Sequence, residues 1–111
     1  MTRSQLLASL LATAALAATT AHAAETKGNI EAGRVKTYTC HGCHGVPGYK
    51  NAYPNYHVPL IAGQNYDYLI AALNGYKSGE RSHPTMRAQG ESLSKEDIED
   101  IAAYLSSLAA K

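Results

Sequence analysis

The sequence predicts an all-α fold of three to four helices joined by long loops. Three observations point there. Two segments carry apolar residues at helical spacing behind good capping residues. No segment alternates apolar and polar residues as a half-buried strand would. An 18-residue run, "VPGYKNAYPNYHVPLIAG", has three Pro, two Gly and two Asn and no period, so it reads as a loop.

The chain has 111 residues, so one domain is the default. Residues 1–23 stand apart from it. Arg3 gives a positive start, Leu6 to Ala18 is almost all Leu and Ala, and Ala21-His22-Ala23 is a small-x-small cleavage site. That order is a secretory signal peptide. The apolar run is short for a bilayer span, which takes about 20 residues. The expected organisation is a leader at 1–23 and a domain at 24–111, located in the periplasm. No integral membrane segment is expected after cleavage. Residues 24–111 carry nine basic and nine acidic side chains. A balanced charge argues against a nucleic-acid partner and against long-range steering toward any partner.

The elements follow in order. Ile30 to Thr39 is expected to be helical, with Gly33 inside it, where a glycine suggests close packing with another element. The long loop comes next; one of this length in a small domain is normally functional. Asn65 caps a helix over Tyr66 to Ser78, and Gly79 stops it. Leu69, Ala72, Leu73 and Tyr76 form its apolar face. Glu80 to Ser92 reads as a second loop, holding His83, Pro84, Met86 and Gly90. Ser94 opens the clearest helix, running toward Lys111. Ser94 and Asp97 make a capping box, and Leu93 and Ile98 a hydrophobic staple. Ile98, Ile101, Ala102, Leu105 and Leu108 make its apolar stripe.

The apolar supply is thin. There are eight Tyr, no Phe and no Trp. A domain this small with so little bulk gains from a large apolar cofactor at its centre.

"CHGCH", Cys40 to His44, holds the only two cysteines. A disulfide between them would close a very small loop. A redox dithiol of the thioredoxin kind needs a βαβ setting, which is missing. A zinc site needs four ligands, and no second Cys/His pair stands at finger spacing. C-x-x-C-H is the attachment pattern of a c-type haem. Residues three apart on a helical turn face the same way, so Cys40 and Cys43 can add to two vinyl groups on one porphyrin edge. His44 then meets the iron as proximal ligand. Met86 is the only methionine after Met1. It is favoured as the distal ligand, because a thioether completes a His/Met pair; His57 and His83 are the alternatives, each read as a polar loop residue. His41 is expected to point outward. A carbonyl in the Val58-Pro59 region is a candidate acceptor for the other ring nitrogen of His44.

At this point "AGRVKTYTCHGCHG", "VPLIAGQNYDYLIAALNGYKSGER" and "SLSKEDIEDIAAYLSSL" resemble, in the same order, the class I c-type cytochromes. The similarity is greatest to the single-haem domain repeated in di-haem cytochromes of the c-four type. It covers most of residues 32 to 108. The resemblance implies a class I cytochrome c fold wrapped around one covalently bound haem. It implies thioether links at Cys40 and Cys43, iron ligands at His44 and Met86, and Pro59 as the proline whose carbonyl accepts from the proximal histidine. Gly33 and Tyr104 match the contact where the first and last helices cross. The stretch after the haem motif is longer and richer in Tyr than is usual; Tyr49, Tyr53 and Tyr56 either pack on a haem edge, bond a propionate or lie on the surface. Lys77 and Arg81 are read as solvated rather than paired with propionates.

The function expected is a periplasmic monohaem electron carrier, not an enzyme. Its partners would be redox proteins such as a dehydrogenase, reductase or terminal oxidase. Two alternatives stand beside it: a fixed electron-accepting subunit of a dehydrogenase, or an open-site haem protein with peroxidase or gas-binding activity.

Overall fold

The computed structural model describes residues 27–47 and 57–109. The leader, Tyr49, Tyr53, Tyr56, most of the Tyr-rich loop and Lys111 lie outside them. Among the described residues the elements are all helical: α1 (Ile30–Lys36), α2 (Tyr38–His44), α3 (Tyr66–Ser78), α4 (Pro84–Glu91) and α5 (Lys95–Ser107).

The first helical segment divides at Thr37. Thr37 is fully buried, and its hydroxyl donates to the Arg34 carbonyl at 3.0 Å. A hydroxyl that takes a backbone carbonyl in this way bends the chain. The expected single helix over 30–39 is therefore two short ones, and α2 runs on through the CHGCH motif to a left-handed Gly45 at φ 56°.

α3 forms as its sequence reads. The Asn65 side chain accepts from the Tyr68 N–H, and Gly79 ends the helix at φ 83°. α5 has the full capping box: Ser94 Oγ accepts from Asp97 N–H at 3.0 Å, and the Asp97 carboxylate accepts from Ser94 N–H at 2.9 Å. It ends at Ser107, short of Lys111. Ser106 and Ser107 turn their hydroxyls onto the Ala103 and Tyr104 carbonyls, and Leu108 is extended. Serine side chains that compete for backbone groups in this way favour a helix end over its continuation.

The segment 80–92 is a correction. It was expected to be a loop, yet Pro84–Glu91 is helical. Pro84 starts α4 with a preset φ, and the His83 side chain caps it by accepting from the Met86 N–H at 3.3 Å. Gly90 then lets α4 approach α3: a Cβ there would lie 2.9 Å from the Lys77 nitrogen. These are tertiary causes, and the segment carries no apolar stripe to announce them.

α5 lies against both α1 and α3, and α4 packs on α3. Ile98, Ile101 and Leu105 are fully buried along α5. Each contributes about 1.5–3 kcal/mol by leaving water. Leu69 of α3, Val46 after α2, Ile101, Ala102 and Leu105 form one cluster. At the α1–α5 crossing Gly33 meets the backbone of Asp100 and the Cβ of Tyr104, the contact the resemblance implied. A polar clamp closes the same interface. Lys36 Nζ pairs with Asp100 at 2.6 Å and Asp97 at 2.8 Å, while Asp100 also accepts from Asn29 N–H at 2.7 Å.

Candidate functional site

α2 delivers Cys40, Cys43 and His44 to one end of a cleft of about 240 Å³. The volume is many times the roughly 10–15 Å³ one water needs, so the cleft suits a large occupant. Segment 57–61 forms its adjoining wall. α3 and α5 supply an apolar back through Leu69, Leu73, Ile101 and Leu105, and α4 brings Met86. Leu69, Ile101 and Leu105 belong to the core cluster as well. The core is thus one-sided, and the cleft takes the place of the missing bulk.

Cys40 and Cys43 are half-buried on one helical turn and form no disulfide with each other. Before any thioether forms, burial pushes the Cys40 thiol up from its ordinary value. His44 is buried, and its Nδ1 lies 2.8 Å from the Pro59 carbonyl oxygen. A carbonyl can only accept, so Nδ1 carries the proton. In the neutral imidazole, Nε2 is then left with its lone pair, the tautomer a metal needs. Met86 is half-buried in the first turn of α4 and lines the cleft.

The donor set suits a macrocycle better than a bare ion. Among the described residues no three His, Cys, Asp or Glu side chains converge where they could hold a metal ion, which leaves the zinc reading without support there. Two thiols, an imidazole and a thioether around an apolar cleft are the groups a covalently attached haem takes.

The other sequence candidates separate clearly. His57 also lines the cleft and is exposed; His83 lines it too, but its side chain is the cap of α4. His41 does not point outward as expected: it is half-buried, with Nε2 3.2 Å from the Thr37 hydroxyl, and burial lowers its pKa. Lys77 and Arg81 are also corrections. Lys77 Nζ donates to the Leu93 carbonyl. The Arg81 guanidinium sits 4.7 Å from the Tyr76 ring centroid and 5.7 Å from that of Tyr68, and it donates to both hydroxyls. These ring contacts tie the connection after Gly79 back onto α3. The one available hint was the string of residues itself: Tyr68, Tyr76 and Arg81 fall near one another only if the chain turns back after Gly79.

The cytochrome c family model matches residues 30–109. The chain belongs to the cytochrome c family. As a c-type cytochrome it carries covalently attached haem c, and Cys40 and Cys43 fit the C-x-x-C-H motif. It is 41% identical over 103 residues to cytochrome c4 of Pseudomonas aeruginosa, which spans 93% of this chain and 48% of the relative. It is 40% identical over 85 residues to cytochrome c-554(548) of Halomonas halodenitrificans, covering 72% of this chain and 96% of that one. It is 32% identical over 79 residues to the cytochrome subunit of sulfide dehydrogenase from Chlorobaculum tepidum, covering 71% and 68%. The chain therefore spans about half the length of the c4 relative. No helix among the described residues is long and apolar enough to cross a membrane.

Proposed function

We propose that this chain is a periplasmic single-haem electron carrier, exported by residues 1–23 and folded over residues 24–111. Cys40 and Cys43 hold the haem by thioethers, and His44 and Met86 are the axial ligands. One observation carries the reading: both thiols, the imidazole tied to Pro59 and the thioether of Met86 line a single apolar cleft.

The haem supplies a one-electron couple when bound. The chain's residues set the conditions for it. His44 presents Nε2 while the Pro59 carbonyl holds its Nδ1 proton and fixes the ring. Met86 offers a soft sulfur, which favours the ferrous state and raises the potential. Leu69, Ile101 and Leu105 keep water from the back of the cleft. Exposed Thr39 and Leu60 line its rim, where a redox partner could approach. No side chain is assigned to bond chemistry on a substrate. The partners are redox proteins such as a dehydrogenase, reductase or terminal oxidase.

A second reading is a fixed electron-accepting subunit. It is favoured by the likeness to a protein named as the cytochrome subunit of sulfide dehydrogenase. Stable co-purification with a dehydrogenase would support it over a free carrier.

Optical spectra of Met86→Ala test the ligand set. The ferric charge-transfer band of a methionine–iron bond is expected in the wild type and absent from the variant. Rapid carbon monoxide binding by the reduced wild type would overturn six-coordination and favour an open site.

A further inference from the structure

We propose that His83 is a positioning residue for Met86: its ring caps α4 and fixes the backbone turn that carries the thioether into the cleft. The proposal rests on the assignment of Met86 as a ligand. Three contacts carry it. His83 is extended, at φ −164° and ψ 106°, and its Nδ1 accepts the Met86 N–H at 3.3 Å. The hydrogen bond therefore goes to the backbone of the very residue whose side chain enters the cleft. The His83 ring is itself packed against a neighbour. It meets the Tyr76 ring in a T-shaped contact, 6.3 Å between centroids and 75° between planes. Tyr76 in turn lies under the Arg81 guanidinium, which also donates to its hydroxyl.

The physical need is specific. α4 has eight residues and no apolar stripe of its own. A helix that short is marginal without help. Its C-terminal end is secured by the approach of Gly90 to α3. Its N-terminal end has Pro84, which lacks an N–H, and then the His83 cap. Asn, Asp and Ser are the usual capping residues, because their short side chains reach the N2 and N3 amides. Histidine does the same here through Nδ1, while its ring also reaches Tyr76. A flexible thioether becomes a dependable ligand only if its backbone is held; a ligand group left to find its own position loses affinity to competitors.

The test uses the full haem-loaded protein and three variants: His83→Asn, His83→Ala and Met86→Ala. Two quantities are read. One is the affinity of the ferric protein for added imidazole, which competes for the sixth position. The other is hydrogen exchange at the Met86 amide, which does not depend on the iron. His83→Ala should bind imidazole about fivefold more tightly, the factor expected for loss of a helix cap, and should lose protection at the Met86 amide. His83→Asn should stay within about twofold of the wild type and keep that protection, as a competent cap. If His83→Ala matches the wild type in both, or His83→Asn fails as badly as His83→Ala, the positioning role is wrong. If Met86→Ala keeps the methionine–iron band and the wild-type imidazole affinity, the ligand assignment itself falls and this role with it.

Discussion

Gly33 lies directly against the backbone of Asp100, with the α1 and α5 helices touching through main chain at that point. A Cβ on Gly33 would fall on the Asp100 carbonyl and 2.7 Å from the Cβ of Tyr104. No side-chain rotation relieves an overlap with backbone. Gly33→Ala should therefore cost at least about 3 kcal/mol, at the upper end of overpacking effects. Denaturant unfolding of the haem-loaded protein measures it. A loss under about 1 kcal/mol would show that the helices separate easily and that the crossing is not what fixes them.

The neighbouring clamp predicts an acid-sensitive interface. The Lys36 ammonium holds Asp97 down to about 2, helped by the capping bonds of Ser94. Lys36 and the Asn29 N–H likewise hold Asp100 below its ordinary value of 3.8. Both folded values are depressed. Their stabilisation is present above the unfolded value and is lost as pH falls through the folded one. Lys36 is raised above its ordinary value of 10.5 by the same two carboxylates, so its contribution is full below that value and fades at higher pH. Stability should thus drop between about pH 4 and pH 2. Asp100→Ala, which removes a buried acceptor, should cost about 1.5–3 kcal/mol at pH 7. Its deficit should shrink as the wild type loses the same interaction in acid. Unfolding curves at pH 7 and pH 2.5 check this; an equal deficit at both would contradict it.

The bond from His44 to the Pro59 carbonyl predicts a change in potential. An acceptor at Nδ1 makes the imidazole a better donor at Nε2 and favours the ferric state. Pro59→Ala keeps the carbonyl but frees φ, loosening the 2.8 Å contact. Loss of a hydrogen bond of about 1 kcal/mol corresponds to roughly 40 mV for one electron. The potential should rise by tens of millivolts in a spectroelectrochemical titration, and an unchanged potential would show that the proline ring is not what holds this carbonyl against His44.

The α3–α4 contact makes a separate prediction. Gly90→Ala places a Cβ within 2.9–3.2 Å of Lys77 and Leu73 main-chain atoms. α4 must then move away from α3, at a cost of about 1–3 kcal/mol, and Met86 moves with it. Thermal unfolding should shift down and the methionine–iron band should weaken together. A loss of stability with an unaltered band would separate the packing of α4 from the placing of Met86.

What the sequence made legible was local or carried by a fixed motif. Asn65 and Gly79 bound α3 correctly because a cap and a left-handed stop act within a turn of their own residue. Ser94 and Asp97 announced α5 for the same reason. Cys40, Cys43 and His44 were legible through their spacing, and the structure sets all three on the cleft. Thr37 was not legible as a break, because its hydroxyl bond to Arg34 depends on being buried. α4 was hidden because its stability comes from His83, Pro84 and the face of α3 rather than from a periodic stripe. Lys77 and Arg81 looked solvated because their partners, Leu93 and the rings of Tyr68 and Tyr76, meet them only after α3 and the segment behind it fold together.

Mass spectrometry of the purified protein tests the central claim most directly. The intact chain should exceed its polypeptide mass by one haem, and after proteolysis the haem should remain on the peptide holding Cys40 and Cys43. A folded protein of bare polypeptide mass, with both thiols open to alkylation, would contradict the account.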